Sequence, residues 1–475
     1  MSGQVEEKFI ILGAGPAGLA AGYELAKNGK KVVLIEKDDG VGGLSRTKKY
    51  QGHYFDLGPH RFFTKNNEVE SLWRALLGND FLELPRLTRI YYKKNFYHYP
   101  LQPVDALYKL GLVRSVWVIG SLLKTKFKNL FFRKPEASFE DWVTNRFGSK
   151  LFSIFFKSYT EKLWGISTRD LGADWAVQRI KNLSLISAIK NAIFGDEHGK
   201  VKSLIERFNY PKRGAGMMYE KMAENIKKLG GEIIYNANVK NILHDEDKVS
   251  GVIIEDQSGE RQVAGDYIIS SLALNDMIRA LSPLAPENVL RAAENLRFRS
   301  LVIVYLVVEA SQVFPDNWVY VHEPDLKVTR VQDTSSFGPY LSENKNQTMV
   351  CLEYACWSGD ALWSQSDDEL VEMGKRDIAA MGLLGGSRIL DGLVGRIPYA
   401  YPVYAFNYED NLKIIFDYLG QFKNFQTVGR SGLFHYNNMD HSILTGIFAA
   451  RNFMGSNYDV YKVNAEADYH ECKLP

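Results

Sequence analysis

Gly13, Gly15 and Gly18 stand at the spacing of a turn that can cradle a pyrophosphate, and Glu36 follows where a carboxylate can accept hydrogen bonds from an adenosine ribose. Gly13 permits the tight turn. Gly15, with Pro16 and Ala17 after it, lets the backbone approach a phosphate, and Gly18 allows a helix to close on a sheet. The chemistry expected is anion binding by backbone N–H groups that have no intrahelical partner. The elements that must position these residues are legible on either side. Phe9, Ile10, Ile11 and Leu12 form an apolar run suited to a buried parallel strand, while Leu19, Tyr23, Leu25 and Ala26 mark the sheet-facing side of the helix. A second strand ends at Glu36-Lys37. Strand, glycine turn, helix and acid in register predict a dinucleotide site.

Composition bounds the rest. The chain has 475 residues, 45% of them hydrophobic, enough for two or three packed domains. Its 58 basic and 56 acidic residues leave a net charge of +2, so no general field favours nucleic acid. Cys351, Cys356 and Cys472 lack metal-ligand spacing. MSGQVEEKF lacks the basic and apolar regions of a signal peptide, and a reducing cytoplasm is the expected location. No apolar run reaches the roughly 18 residues of a membrane span. The one dense basic stretch, Lys124 to Lys134, reads as a solvated helix face, with peripheral contact to a membrane or an anionic partner as the alternative.

After Glu36 the chain carries Gly42-Gly43-Leu44, Arg46 and then Asp56-Leu57-Gly58-Pro59-His60. This stretch resembles the FAD-binding start shared by amine oxidases, protoporphyrinogen oxidases, carotenoid desaturases and UDP-galactopyranose mutases. The resemblance implies FAD rather than NAD, with Gly43 and Arg46 against the pyrophosphate and the Pro59-His60 loop near the flavin. A second αβ unit begins near Tyr210, with Met217, Met218, Met222 and Ile226 at helical spacing and a strand from Glu232. In the resembling proteins the residue corresponding to Val239 touches adenine through its backbone. The fold class expected is α/β: a discontinuous Rossmann-type FAD-binding domain from residues 1–90, 205–285 and 420–460. A helical insert at 100–200 and a substrate-side antiparallel or mixed β-sheet at 290–400, with about 90–100, would complete the chain.

Three further segments are similar to UDP-galactopyranose mutases in particular: Leu57 to Val69, Phe139 to Gly165 with its YTEKLWG, and Val428 to Ile443. That resemblance implies pyranose–furanose isomerisation of a nucleotide-linked sugar through reduced flavin N5, with an external reductant. It would place Gly429 and Arg430 near the flavin, and Asn438, Met439, Asp440 and Ile443 at a helix start facing the flavin's N1/O2 edge. His60, Arg61, Tyr159, Trp164, Arg179 and Tyr436 would form the substrate and catalytic set. The chain also departs from the mutases. Phe63 replaces a second histidine, Leu183 replaces an arginine, and Arg299 lacks its neighbouring cation. Lys181, Lys190, Arg207, Lys212 and Arg213 are either replacement cations or solvent-facing charges. The alternative is an FAD-dependent oxidoreductase of the amine oxidase, protoporphyrinogen oxidase or desaturase type, acting on a small or lipid-like substrate and using an electron acceptor.

Overall fold

A computed structural model describes residues 7–131, 136–173 and 206–464. Its first layer is a five-stranded parallel sheet in the order Phe425–Thr427, Tyr267–Ser270, Lys8–Leu12, Lys31–Ile35, Glu232–Ile234. Three distant stretches of chain supply these strands. The central strand is buried on both faces, which is why it reads as an unbroken apolar run. Phe9 and Ile11 pack with Leu19, Leu25, Met218, Met222 and Ile447 from the helices Pro16–Lys27, Gly216–Lys228 and Met439–Phe453. Ile10 and Leu12 face the opposite side, towards Val252 and Ile254 of the antiparallel ribbon built on Asn238–His244 and Val249–Asp256.

The second layer is a seven-stranded mixed sheet, ordered Ile389–Pro402, Phe298–Val308, Thr348–Cys356, Arg330–Asp333, Trp318–Val321, Thr88–Tyr92, Asn95–His98. One pairing, Thr88–Tyr92 with Trp318–Val321, is parallel, and the others are antiparallel. Phe298–Val308 is buried throughout and alternates strictly. Val302, Val304 and Leu306 pack beneath the helix Asp367–Met381, while Leu301, Ile303 and Tyr305 pack on Phe55 and Ile397 towards the nucleotide-binding half. The 14-residue strand Ile389–Pro402 was hidden in the sequence because Gly392, Gly395 and Pro398 interrupt its pattern.

The helical insert comprises Pro103–Leu110, Leu112–Phe131, Phe139–Phe147 and Ser158–Trp164, with a π-helical turn over Phe152–Lys157. Arg179, Lys181, Leu183 and Lys190 lie outside the described residues. No helix among the described residues is long and apolar enough to cross a membrane. The Ser158–Trp164 helix is pinned by two cations, its own Lys162 and Arg299 of the Phe298–Val308 strand. Lys162 Nζ donates to the carbonyls of Val321, Glu323, Leu326 and Val328 at 2.8–3.1 Å, and Arg299 donates to the carbonyls of Leu163 at 2.9 Å and Ala355 at 3.0 Å. Burial pushes the Lys162 ammonium down to about 8, so it stays charged at neutral pH.

The nucleotide-binding helix and the Met439–Phe453 helix touch backbone to backbone. A Cβ at Gly446 would lie 2.1 Å from the Ala17 carbonyl oxygen. Gly446→Val should therefore separate the two helices and lower stability by roughly 2–4 kcal/mol through overpacking. An unchanged urea midpoint for that variant would contradict this packing.

Candidate active site

A cavity of about 720 Å³ runs from the turn after Leu12 to the seven-stranded sheet. Its first end is walled by Gly13, Gly15, Pro16 and Ala17, by Glu36 and Lys37, and by Val239. Gly13 has a φ of +92° and donates its N–H to the Ile35 carbonyl at 2.8 Å, joining the turn to the second strand. A Cβ on Gly18 would lie 1.9 Å from the Gly13 oxygen, so helix and turn could not close with any side chain there. Gly15 differs. Its hypothetical Cβ meets only Gly43 Cα, at 3.8 Å, and its φ is an ordinary −77°. Protein packing does not explain a glycine at 15; a ligand pressed against the helix N-terminus does. Pro16 opens that helix, and its first turn carries no acid to compete for the N–H groups.

Glu36 is buried at the same end, accepting from Ala14 N–H at 2.7 Å on Oε2 and from Asp38 N–H at 3.0 Å on Oε1. Burial raises its pKa, and the two N–H donors pull against that rise. Each oxygen retains a lone pair for a ribose hydroxyl. Arg46 reaches the rim, where Asp39 Oδ1 holds its guanidinium at 2.5 Å.

Gly43, Leu44, Pro59, His60, Gly429, Arg430, Asn438, Met439 and Asp440 line the middle of the cavity. The Met439–Phe453 helix begins here, with Ser442 N–H donating to Asn438 O at 3.0 Å. Burial, with the nearby Arg330 and Arg430 charges, pushes the His60 imidazole down to about 3, so it is neutral at physiological pH. His60 Nδ1 stands 3.8 Å from Asp56 Oδ2. Asp56 is itself buried, accepts from Thr47 and Tyr210 hydroxyls at 2.5 and 2.7 Å, and is pushed up to about 7 by burial.

The far end is a cluster of cations and rings. Tyr401 and Tyr436 stack at 5.5 Å with 4° between planes, and the Arg430 guanidinium lies 4.2 Å from Tyr436 and 5.2 Å from Tyr401. Arg430 Nε is buried without a hydrogen-bond partner among the described residues. Arg61 lies 5.0 Å from the Trp318 ring, and Arg330 forks onto Glu353 with contacts of 2.7–3.0 Å. Trp318, Tyr320, Arg330 and Tyr401 were not evident as site residues in the sequence. Only the strand register, which pairs Arg330 with Glu353, brings them together.

Several expected residues stand off the wall. Trp164 is buried behind Tyr401 and Tyr436, with ring distances of 5.9 and 6.5 Å. Tyr159 stacks on His322 at 4.2 Å, behind Tyr320. Ile443 is fully buried in the core with Ala17 and Val428. Arg299 serves carbonyl groups, Arg207 and Lys212 pair with Glu83 and Asp80, and Arg213 lies over Tyr54, so none of these replacement cations reaches the cavity. Phe63 does line it. Arg179 is outside the described residues.

The family described as flavin containing amine oxidoreductase matches residues 16–408. The chain belongs to that family. It is a flavoenzyme with FAD as its cofactor, and the open cradle at Gly15, the buried carboxylate of Glu36 and the second helix start fit that molecule. Among sequence relatives, it is 28% identical to the all-trans-retinol 13,14-reductase of Danio rerio over 58% of this chain and 49% of that protein. It is 24% identical to the 1-hydroxycarotenoid 3,4-desaturase of Flavobacterium sp. (strain P99-3) over 52% of this chain and 54% of that protein. The matched region thus spans about half the length of these relatives. Among solved structures, reduced UDP-galactopyranose mutase superposes with a TM-score of 0.84 at 20% identity, covering 98% of this chain and 99% of that one. A putative protoporphyrinogen oxidase from Exiguobacterium sp. 255-15 superposes with a TM-score of 0.71 at 16% identity, covering 95% and 100%. These likenesses establish a shared fold.

Gly15→Val should fold with the thermal midpoint of the FAD-free parent and emerge colourless, because the new side chain occupies the phosphate cradle and little else. A yellow, fully loaded variant would contradict that cradle. His322 is also held neutral, its imidazole pushed from 6.5 to about 3 by burial and the Lys162 charge. Below pH 6.5 the unfolded chain takes up protons that native His60 and His322 refuse, so stability should fall as pH drops from 6.5 towards 3. His322→Phe keeps the stack on Tyr159 and should make that decline shallower in urea midpoints measured against pH.

Proposed function

We propose that this flavoenzyme interconverts pyranose and furanose forms of a nucleotide-linked sugar, working with reduced FAD and an external reductant. The observation that carries the reading is the cation and ring cluster at the far end of the cavity: Arg430 on the stacked Tyr401 and Tyr436, facing Arg61 on Trp318. A nucleotide sugar presents a flat base, a diphosphate and a polar ring. Guanidinium groups on aromatic faces suit the first two, and tyrosine hydroxyls suit the third. A long hydrocarbon substrate would be poorly served by a wall that includes Arg61, Arg330, Arg396 and Arg430.

Reduced FAD, where bound, supplies a nucleophilic flavin nitrogen. The chain's own residues do the positioning. Arg430 offers a buried N–H that lacks an acceptor among the described residues and can bind a phosphate oxygen of the substrate. Tyr401 and Tyr436 close the cavity against water and are backed by Trp164, which holds them from behind. Where FAD is bound, the start of the Met439–Phe453 helix would offer it backbone N–H groups, with the acid Asp440 in the same turn, and His60 would pack nearby as a neutral group.

A second reading, an FAD-dependent oxidoreductase passing electrons to an acceptor, draws on the ion pairs. Arg330 is held by Glu353, Arg396 by Asp367 and Arg46 by Asp39, which reduces the positive field offered to a diphosphate. The reductase and desaturase relatives also favour it.

Anaerobic assay with UDP-sugars separates the two. Turnover should appear after dithionite reduction and consume no further electrons; turnover by oxidised enzyme alone, with stoichiometric reduction of an acceptor, would sink the isomerase. Tyr436→Phe removes one hydroxyl and preserves the stack, and should lower kcat/KM about tenfold to a hundredfold with the flavin spectrum unchanged. Trp164→Ala is a poorer probe, because emptying so buried a site lowers stability by about 3–5 kcal/mol.

A further inference from the structure

The Leu112–Phe131 helix has two faces with opposite character. Ser115, Val118 and Leu122 are its buried residues and form one stripe against the protein. On that side Ser115 Oγ donates to Leu107 O at 2.5 Å, and Asn129 donates to Asn145 at 3.2 Å. Gly148 has no Cβ to meet the Leu122 backbone, which a side chain there would approach to 2.9 Å. The helix is therefore seated in one rotation.

That rotation turns apolar side chains outward. Leu112 is 82% exposed, Trp117 64%, Phe127 70% and Leu130 79%, and Val113, Val116, Ile119, Leu123 and Phe131 are exposed with them. Eleven of the twenty large apolar side chains exposed among the described residues fall between Val104 and Phe131. At 100° per residue the nine on this helix occupy an arc of about 160°, centred roughly opposite the buried stripe. The patch is on the order of 1,000 Å², against the roughly 300–600 Å² of the largest patch on a typical monomer.

Charge complementarity selects the occupant. From Ala106 to Pro135 the sequence has seven cations and no acid, in a chain whose net charge is +2. Lys124 and Lys128 border one edge of the apolar arc and Lys126 the other, where long side chains can bury their stems and keep their ammonium groups at a polar boundary. A second copy of the chain would bring these lysines against one another, and nucleic acid would leave the apolar arc uncovered.

We propose that the Leu112–Phe131 helix docks this protein on the surface of an anionic lipid bilayer, its apolar arc sunk among the acyl chains and its lysines at the headgroups. It lies on the bilayer, since it is not apolar enough to span one. The proposal is independent of which reaction the flavin performs.

Sedimentation of the full-length holoenzyme with vesicles tests it. Binding should be strong to equal parts phosphatidylcholine and phosphatidylglycerol, at least tenfold weaker to phosphatidylcholine alone, and reduced by raised salt. Lys124→Gln/Lys126→Gln/Lys128→Gln should weaken binding about a hundredfold, from about fivefold per lysine at an anionic surface. Leu123→Glu/Phe127→Glu should abolish it. All five side chains are exposed, and unchanged flavin absorbance in the variants shows that folding is intact. Failure of the parent protein to bind anionic vesicles would overturn the proposal. So would undiminished binding by Leu123→Glu/Phe127→Glu, or a dimer that this variant splits while vesicles are ignored.

Discussion

Backbone meets backbone at the turn after Leu12, and the rest of the molecule is arranged around that contact. Gly18 closes on the Gly13 carbonyl, and Gly446 closes on the Ala17 carbonyl, at separations no side chain could share. The turn is thereby clamped between its own strand and a helix more than 400 residues further on. This clamp sets two helix N-termini on one cavity, the first beside Gly15 and the second beside Asn438. Two helix N-termini in a shared groove, the second with Asp440 in its first turn, offer backbone N–H groups to a ligand carrying phosphates at one end and a reducible, electron-accepting ring at the other. The family match and the geometry agree on FAD.

The substrate half depends on buried charge rather than on close backbone contact. Arg330, half-buried at the cavity wall, and the buried Glu353 face each other across neighbouring strands, and each favours the other's ionised form there. Removing one partner of such a pair leaves an uncompensated charge and typically costs about 3–5 kcal/mol. Lys162 and Arg299 solve the same problem with carbonyl oxygens, tying the Ser158–Trp164 helix to the sheet. Tyr159 and Trp164 are thus fixed by cations behind them, and the rings that meet the cavity, Tyr401 and Tyr436, rest on that support. The resulting wall is aromatic and rich in arginine.

The amphipathic insert helix adds an orientation to this enzyme. Its buried stripe is short of apolar residues and its outer arc is rich in them, the reverse of a helix that packs only on its own core. The solvated-face reading of the basic stretch therefore describes only the lysines; Leu123, Phe127, Leu130 and Phe131 beside them are apolar and exposed.

The sequence by itself determined the amino-terminal strand, turn and helix, where Gly13 takes a positive φ and Gly18 a close backbone approach, because those requirements are local. A turn with positive φ, a close approach and an acid at the next strand end fall within 29 residues, Lys8 to Glu36, and few residue types satisfy them. Strand positions in the second sheet were also legible where an apolar run was unbroken, as within Phe298–Val308, and illegible at Ile389–Pro402, where glycine and proline interrupt the pattern. Only the tertiary structure decided what each cation and ring is for. Arg299 and Arg330 look alike in sequence, yet one is spent on carbonyls and the other borders the cavity. Trp164 and Tyr401 are both aromatic, and which of them meets a ligand depends on strand register and on a helix packed from elsewhere. An apolar period on a helix fixes that it has a face, but whether protein or something else covers that face depends on neighbours hundreds of residues away.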